Sequence, residues 1–244
     1  MLGAVHVTGT LINAGTVLVG TVLGTVLGDR LPDRIRQTVM YALGLIVLVV
    51  GANDALTMFH SALSRFTDGS VIVVLLSVLV GGVAGELIGI ENGLDRAGAA
   101  LKRRFGKGQA RFVEGFVVAS LVFCVGPLTI LGSIDDGLRG DYKLLAIKAV
   151  LDGFAALAFS SVLGWGVGFS IITILVYQGS LSLAASAVAG AFSAAMIAAL
   201  TAAGGVLIMG IGLRLLELRE IRVGNLLPAL VLAPATVAVM QALR

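Results

Sequence analysis

Residues 112–168 read FVEGFVVASLVFCVGPLTILGSIDDGLRGDYKLLAIKAVLDGFAALAFSSVLGWGVG. Two apolar segments lie in this stretch, each carrying a carboxylate followed by Gly-Phe: Glu114-Gly115-Phe116 and Asp152-Gly153-Phe154. A charge inside so apolar a segment is costly in lipid and marks a functional position before a packing one. Between the two segments, Ser133-Ile134-Asp135-Asp136-Gly137 reads as a solvated acidic turn. Adjacent acids point in different directions, and no further ligands accompany them, so no metal site is expected there.

The rest of the chain has the same character. Its 244 residues are 58% hydrophobic and only 13% charged, with a mean hydropathy of +1.04. A soluble domain carries about 25% charged residues, so this chain could not cover a water-exposed surface. Glycine is abundant, at 33 residues, as expected where membrane helices pack closely. The fold class is therefore all-α, a polytopic membrane helix bundle forming a single domain over residues 1–244. The N-terminus lacks the basic region and small-residue cleavage site of a signal peptide, so the first segment is expected to stay. The single Cys124 excludes an intramolecular disulfide and reads as a small core residue.

A spanning helix needs about 20 apolar residues. Segments of that kind cover 9–28, 37–57, 71–91, 112–132, 144–163, 166–187, 194–213 and 223–243, about eight in all. The run 144–187 is split at Gly164-Trp165-Gly166. That split places three basic loops on one side: Arg30, Arg34 and Arg36; Arg96, Lys102, Arg103, Arg104, Lys107 and Arg111; and Arg214, Arg219 and Arg222. Positive loops face the cytoplasm, so both termini are expected outside. The pI near 9.4 reflects this topology rather than nucleic-acid binding. Glu91 to Phe105 reads either as a surface-lying amphipathic helix or as a solvated basic linker.

Internal similarity points to repeats. Thr16 to Gly28 aligns with Ser77 to Gly89, matching Gly20, Gly24 and Gly28 to Gly81, Gly85 and Gly89. Tyr41–Gly51 resembles Phe116–Gly126 and Ala203–Gly212, and the Asp152 segment resembles the Glu114 segment. Helix pairs 9–57 and 71–132 are thus related, with 144–243 as a second half. Similar helices in opposite orientation would make an inverted repeat, an arrangement common in secondary transporters.

The candidate site follows from the intramembrane polar residues. Asp152, with Lys148 four residues before it, is the leading coupling or binding group. Glu114 either joins it or pairs with Arg111 near the cytoplasmic end. Glu86 faces a polar cavity or snorkels to the inner surface. Asn13, deep in the first segment, binds a ligand or a neighbouring helix, and Gln178 is a minor substrate contact. Gly126-Pro127 and Pro228 can interrupt helices and expose backbone groups to a cavity. Enzyme readings have little support. His6 and His60 are in no metal-ligand spacing, Ser170 has no evident histidine partner, and there is no nucleotide-binding loop. No catalytic residue, metal or cofactor is expected.

Several motifs together resemble one family. They are Gly9-Thr10-Leu11-Ile12-Asn13, Phe112-Val113-Glu114-Gly115-Phe116, Phe123-Cys124-Val125-Gly126-Pro127, Ile130 to Ile134, Asp136-Gly137-Leu138, Val150 to Phe154, Tyr177-Gln178-Gly179 and Asn225 to Ala229. In combination they resemble the "domain of unknown function 554" family of bacterial membrane proteins, across essentially the whole chain. The resemblance implies a bacterial cytoplasmic membrane location and one polytopic domain, and it transfers no catalytic or binding role. The expectation is a secondary transporter or ion-coupled permease for a small solute, a proton or another monovalent cation. The alternatives are an ion channel, or a scaffold that recruits a partner or anionic lipid through Lys102, Arg103 and Arg104. The lipid bilayer is the expected surrounding, nucleic acid is not a partner, and tight glycine faces also permit a homodimer.

Overall fold

The apolar runs form helices, and the glycines and prolines punctuate them. The computed structural model describes residues 6–93, 96, 111–124, 127–185 and 192–243. Its main helices are α1 (Thr8–Gly28), α2 (Asp33–Ala55), α3 (Ser70–Ile88), α4 (Phe112–Cys124), α5 (Pro127–Arg139) and α6 (Lys143–Leu163). A 3-10 segment, Gly164–Phe169, leads from α6 to α7, which is α-helical at Ser170–Thr173 and Gly179–Leu183 around a π turn at Ile174–Gln178. The chain continues with α8 (Ala194–Leu215), a 3-10 turn at Val223–Leu226, and α9 (Ala229–Ala242). No strand occurs among the described residues.

Among the described residues, six helical runs are long and apolar enough to cross a membrane, or seven when the bent pair α4–α5 is one span. The sequence reading expects eight. The difference lies in Lys143–Leu183, which counts as one run of 41 residues yet doubles back on itself. Gly164 sits at φ 75° and ends α6, a conformation that costs glycine nothing and side-chain-bearing residues much more. The returning arm, Gly164–Leu183, is helical in successive pieces of 6, 4, 5 and 5 residues; together they reach the about 20 residues a spanning helix needs, but no single piece does.

Two compact units make up the chain, residues 1–40 with 97–191 and residues 41–96 with 192–244. In the first, α1 lies parallel to α6. Gly9 abuts Leu145, Gly20 abuts Gly153, Gly24 abuts Leu157 and Ser160, and Gly28 abuts Ser161. A Cβ at Gly20, Gly24 or Gly28 would overlap the backbone of α6, so these glycines set how closely the two helices approach. The returning arm runs antiparallel to α1, with Gly168 against Thr21 and Gly179 against Thr10. Beside that arm lies α4, joined to it by Phe112–Phe169 ring contact at 5.1 Å and by the Ser120–Thr173 hydroxyl pair at 2.9 Å.

The chain bends by 63° between α4 and α5. Pro127 opens α5, where a missing amide hydrogen and a fixed φ suit the first helical position; Gly126 lies outside the described residues. The acidic stretch expected as a turn is instead part of α5. Asp135 and Arg139 pair at i,i+4 on its exposed side, and Asp136 is fully buried. Two adjacent acids have the look of a solvated pair, but a helix turns neighbouring residues about 100° apart and can bury one while exposing the other.

In the second unit, Gly44 and Gly51 of α2 meet Gly212 and Gly205 of α8 in antiparallel packing. Gly81 and Gly85 of α3 abut Ala229 and Asn225. Gly89, the third glycine of that stripe, does not pack; at φ 74° it caps α3 in the left-handed conformation. Pro228 separates the 3-10 turn from α9. Outward faces are apolar. On α3 alone Ile72, Leu75, Leu76, Leu79, Val80, Val83 and Leu87 are more than half exposed, a continuous surface that only lipid or protein would cover. The basic stretch 97–110, with Lys102, Arg103, Arg104 and Lys107, lies outside the described residues.

Candidate functional site

The close parallel packing of α1 on α6 brings polar residues of distant sequence together. Asn13 of α1 is fully buried, and its Nδ2 donates to Asp152 Oδ2 of α6 at 2.9 Å and to Gln178 Oε1 of α7 at 3.1 Å. Gln178, also fully buried, donates from Nε2 to Thr10 Oγ1 at 3.1 Å. Lys148 Nζ pairs with Asp152 Oδ2 one helical turn away, and both side chains are at least nine-tenths buried. Phe123 near the end of α4 meets Phe159 of α6 with ring centroids 6.4 Å apart, and Gly132 of α5 abuts Leu145, so α4 and α5 flank the stretch of α6 that carries Lys148 and Asp152. The ion pair therefore sits close to the α4–α5 break.

Three separate segments thus supply one cluster. The doubling back of the chain at Gly164 is what allows Asp152 and Gln178 to share Asn13; along one straight helix they would stand about 39 Å apart. The ionic core is a single Lys–Asp pair with neutral amide and hydroxyl neighbours. Burial of such a pair is tolerated only when its remaining donors and acceptors are satisfied. Here satisfaction is incomplete. Asn13 Oδ1 has no hydrogen-bond partner among the described residues, which leaves an acceptor beside the ion pair. A solute with a carboxylate could compete for Lys148, and a cation or proton could compete for Asp152.

Asp152, Lys148, Asn13 and Gln178, all named from sequence, converge in this cluster, and Thr10 completes it. Thr10 had a signal: it stands three residues before Asn13, on the same face of α1. Glu114 is engaged elsewhere, in an ion pair with Arg111 at 3.1 Å. Glu86 belongs to the second unit, where Arg222 Nη1 reaches it at 2.7 Å and Asn225 Nδ2 donates to its other oxygen.

That second cluster centres on a residue the sequence reading passed over. Glu91 is buried and accepts from Arg214 Nη1 at 3.0 Å and from the Gly224 amide at 2.6 Å. Asn225 Oδ1 in turn accepts the Glu91 amide at 2.7 Å. Both Glu91 carboxylate oxygens and both functional ends of the Asn225 amide have partners, so this cluster ties the end of α3 to the start of α9. Its signal was present in the Asn225 motif, but nothing in the sequence paired Asn225 with Glu91.

A family model described as "Protein of unknown function (DUF554)" matches residues 8–238. The chain belongs to the DUF554 family. Among its relatives, the "Uncharacterized membrane protein YdfK" of Bacillus subtilis (strain 168) is 30% identical over 234 residues, which is 96% of this chain and 97% of that protein. The "Uncharacterized protein YqgA" of Escherichia coli (strain K12) is 33% identical over 232 residues, covering 93% of this chain and 94% of the relative. No solved structure gives a significant match. Membership of DUF554 and the apolar helical runs make this chain a multi-pass membrane protein.

Proposed function

We propose that this DUF554 protein is a secondary transporter or ion-coupled permease for a small solute or ion, and not an enzyme. Its binding site is the Lys148–Asp152 pair with Asn13, Gln178 and Thr10. The observation that carries the reading is the convergence of these five buried polar side chains from three segments, beside a helix broken by 63°. Ionisable groups inside a membrane bundle are expensive and mark ion or substrate paths. Broken helices at such sites recur in transporters, where the interrupted backbone lines a cavity. The repeated glycine stripes of α1 and α3 favour an internally repeated architecture. The distribution of basic loops favours a bacterial cytoplasmic membrane, with both termini outside.

Mechanistically, Asp152 holds Lys148 in the resting pair. A bound proton or cation on Asp152 frees the ammonium for an anionic solute, and release restores the pair. Transport then follows from the exchange of partners at one carboxylate. The test is flux into proteoliposomes containing purified protein, with labelled solutes and imposed ion gradients. Saturable uptake by the wild-type chain, abolished in a folded Asp152→Asn variant, is the expected result. Uptake unchanged in that variant removes Asp152 from the mechanism, and unsaturable conductance in planar bilayers would replace the permease with a channel.

A further inference from the structure

A second buried carboxylate lies beyond the proposed binding site. Asp136 is fully buried, and its Oδ2 accepts the Gly9 amide at 2.8 Å, while its Oδ1 has no partner among the described residues. No cationic side chain pairs with it among those residues: Arg139 reaches Asp135 and Lys143 reaches Asp141. The start of α1, where Gly9 sits, offers about half an elementary charge of compensation. Against that, Asp136 occupies the last turn of α5, where the helix dipole is itself negative. A full carboxylate charge is left undercompensated.

Two buried neutral hydroxyls lie on the segments that flank Asp136. Ser133, three residues earlier on the same face of α5, is fully buried, and its Oγ has no partner among the described residues. Ser182 of α7 is in the same state, and its backbone carbonyl presses so closely on Gly137 that a Cβ there would overlap it. Buried hydroxyls with no partner among the described residues, on the segments that flank an undercompensated carboxylate, favour a cation over an anion. Oxygen donors of this type suit alkali and alkaline-earth ions. One carboxylate balances one positive charge, and no group of three or more His, Cys, Asp or Glu that could hold a metal occurs among the described residues.

We propose that Asp136, Ser133 and Ser182 bind a partly hydrated monovalent metal cation of the sodium class. The site lies close to the Lys148–Asp152 cluster. Gly9 and Asn13 are separated by one turn of α1, about 6 Å, and Gln178 and Ser182 by one turn of the returning arm. The returning arm therefore carries a residue of each site, and α1 brings Asn13 to the polar cluster and the Gly9 amide to Asp136. A cation held by Asp136 ties the start of α1 to α5, and this fixes the position from which Asn13 reaches Asp152. As the coupling-ion site of the permease, the assignment rests on the function proposed above; as a cation site it stands without it.

The experiment is the melting temperature of the full-length protein in detergent, titrated with sodium chloride at ionic strength held constant with choline chloride. Sodium should raise the melting temperature saturably. Asp136→Asn, which keeps an acceptor for the Gly9 amide, should abolish the response, and Asp152→Asn should retain it. If Asp136→Asn does not fold, Ser133→Ala and Ser182→Ala carry the test, each raising the half-saturating sodium concentration about tenfold. A wild-type protein indifferent to sodium, or an equal response in Asp136→Asn or in both serine variants, overturns the proposal. A sodium response without solute flux under any gradient refutes the permease and leaves the cation site in place. Flux from a protein indifferent to sodium does the reverse.

Discussion

Asn13 donates to Asp152 at 2.9 Å across the α1–α6 interface, joining residues 139 positions apart. That bond makes the Lys148–Asp152 pair more than a local i,i+4 contact. Asp152 Oδ2 accepts from both Lys148 and Asn13, so removing its carboxylate strips partners from two helices at once.

The first prediction separates the pair's structural role from its functional one. Asp152→Ala or Lys148→Ala leaves one buried charge unpaired and should destabilise the protein by about 3–5 kcal/mol. The double variant Lys148→Met/Asp152→Leu removes both charges and should lose less stability than either single change. Chemical denaturation in detergent reads the stability, and proteoliposome uptake reads the function. Stability recovered in the double variant without recovery of uptake marks the pair as retained for transport. A double variant that still transports would contradict the proposed site.

The glycine stripe of α1 supplies the second prediction. A Cβ at Gly24 would overlap the Leu157 carbonyl and the Ser160 hydroxyl, whereas a Cβ at Gly15 meets nothing within 4 Å. Gly24→Ala should therefore cost about 1–3 kcal/mol through overpacking, and Gly15→Ala should stay within about 0.5 kcal/mol of the parent. Because Asn13 rides on the same helix, Gly24→Ala should also weaken ligand-induced thermal stabilisation. Equal melting temperatures for the two variants would show that α1 does not depend on this approach.

Helix positions were legible in the sequence because composition and glycine spacing report directly on burial in lipid. The start of α1 and the ends of α6 and α8 fall within about two residues of expectation, the spread usual for helix ends. Asp152, Lys148, Asn13 and Gln178 were legible for a related reason: each is a polar residue in an apolar run, and such residues need partners. What could not be read was which partners they find. Gln178 meets Asn13 only because Gly164 reverses the chain, and the pairing follows from three-dimensional register, not from spacing. Asp136 was misplaced because an acidic pair followed by glycine has the composition of a turn, whereas the structure continues α5 through it to Arg139 and packs Gly137 closely against Ser182. Glu91 and Asn225 were missed because their contact, 134 positions apart, leaves no local trace.

The two acidic residues at the end of α3 give the last prediction. Glu86 is 56% exposed in its ion pair with Arg222, and exposed pairs of this kind contribute about 0–1 kcal/mol. Glu91 is 11% exposed in its pair with Arg214 and also accepts the Gly224 amide. Its loss leaves a buried amide without an acceptor, at a cost of about 1–3 kcal/mol. Glu91→Ala should therefore lower the melting temperature more than Glu86→Ala, which breaks an exposed ion pair and one part-buried bond from Asn225 Nδ2. Both variants should retain the wild-type half-saturating concentration for uptake, measured per folded molecule, because neither residue belongs to the Asp152 cluster. If Glu86→Ala folded normally but lost uptake, Glu86 would rejoin the polar path and the surface role assigned to it here would be wrong.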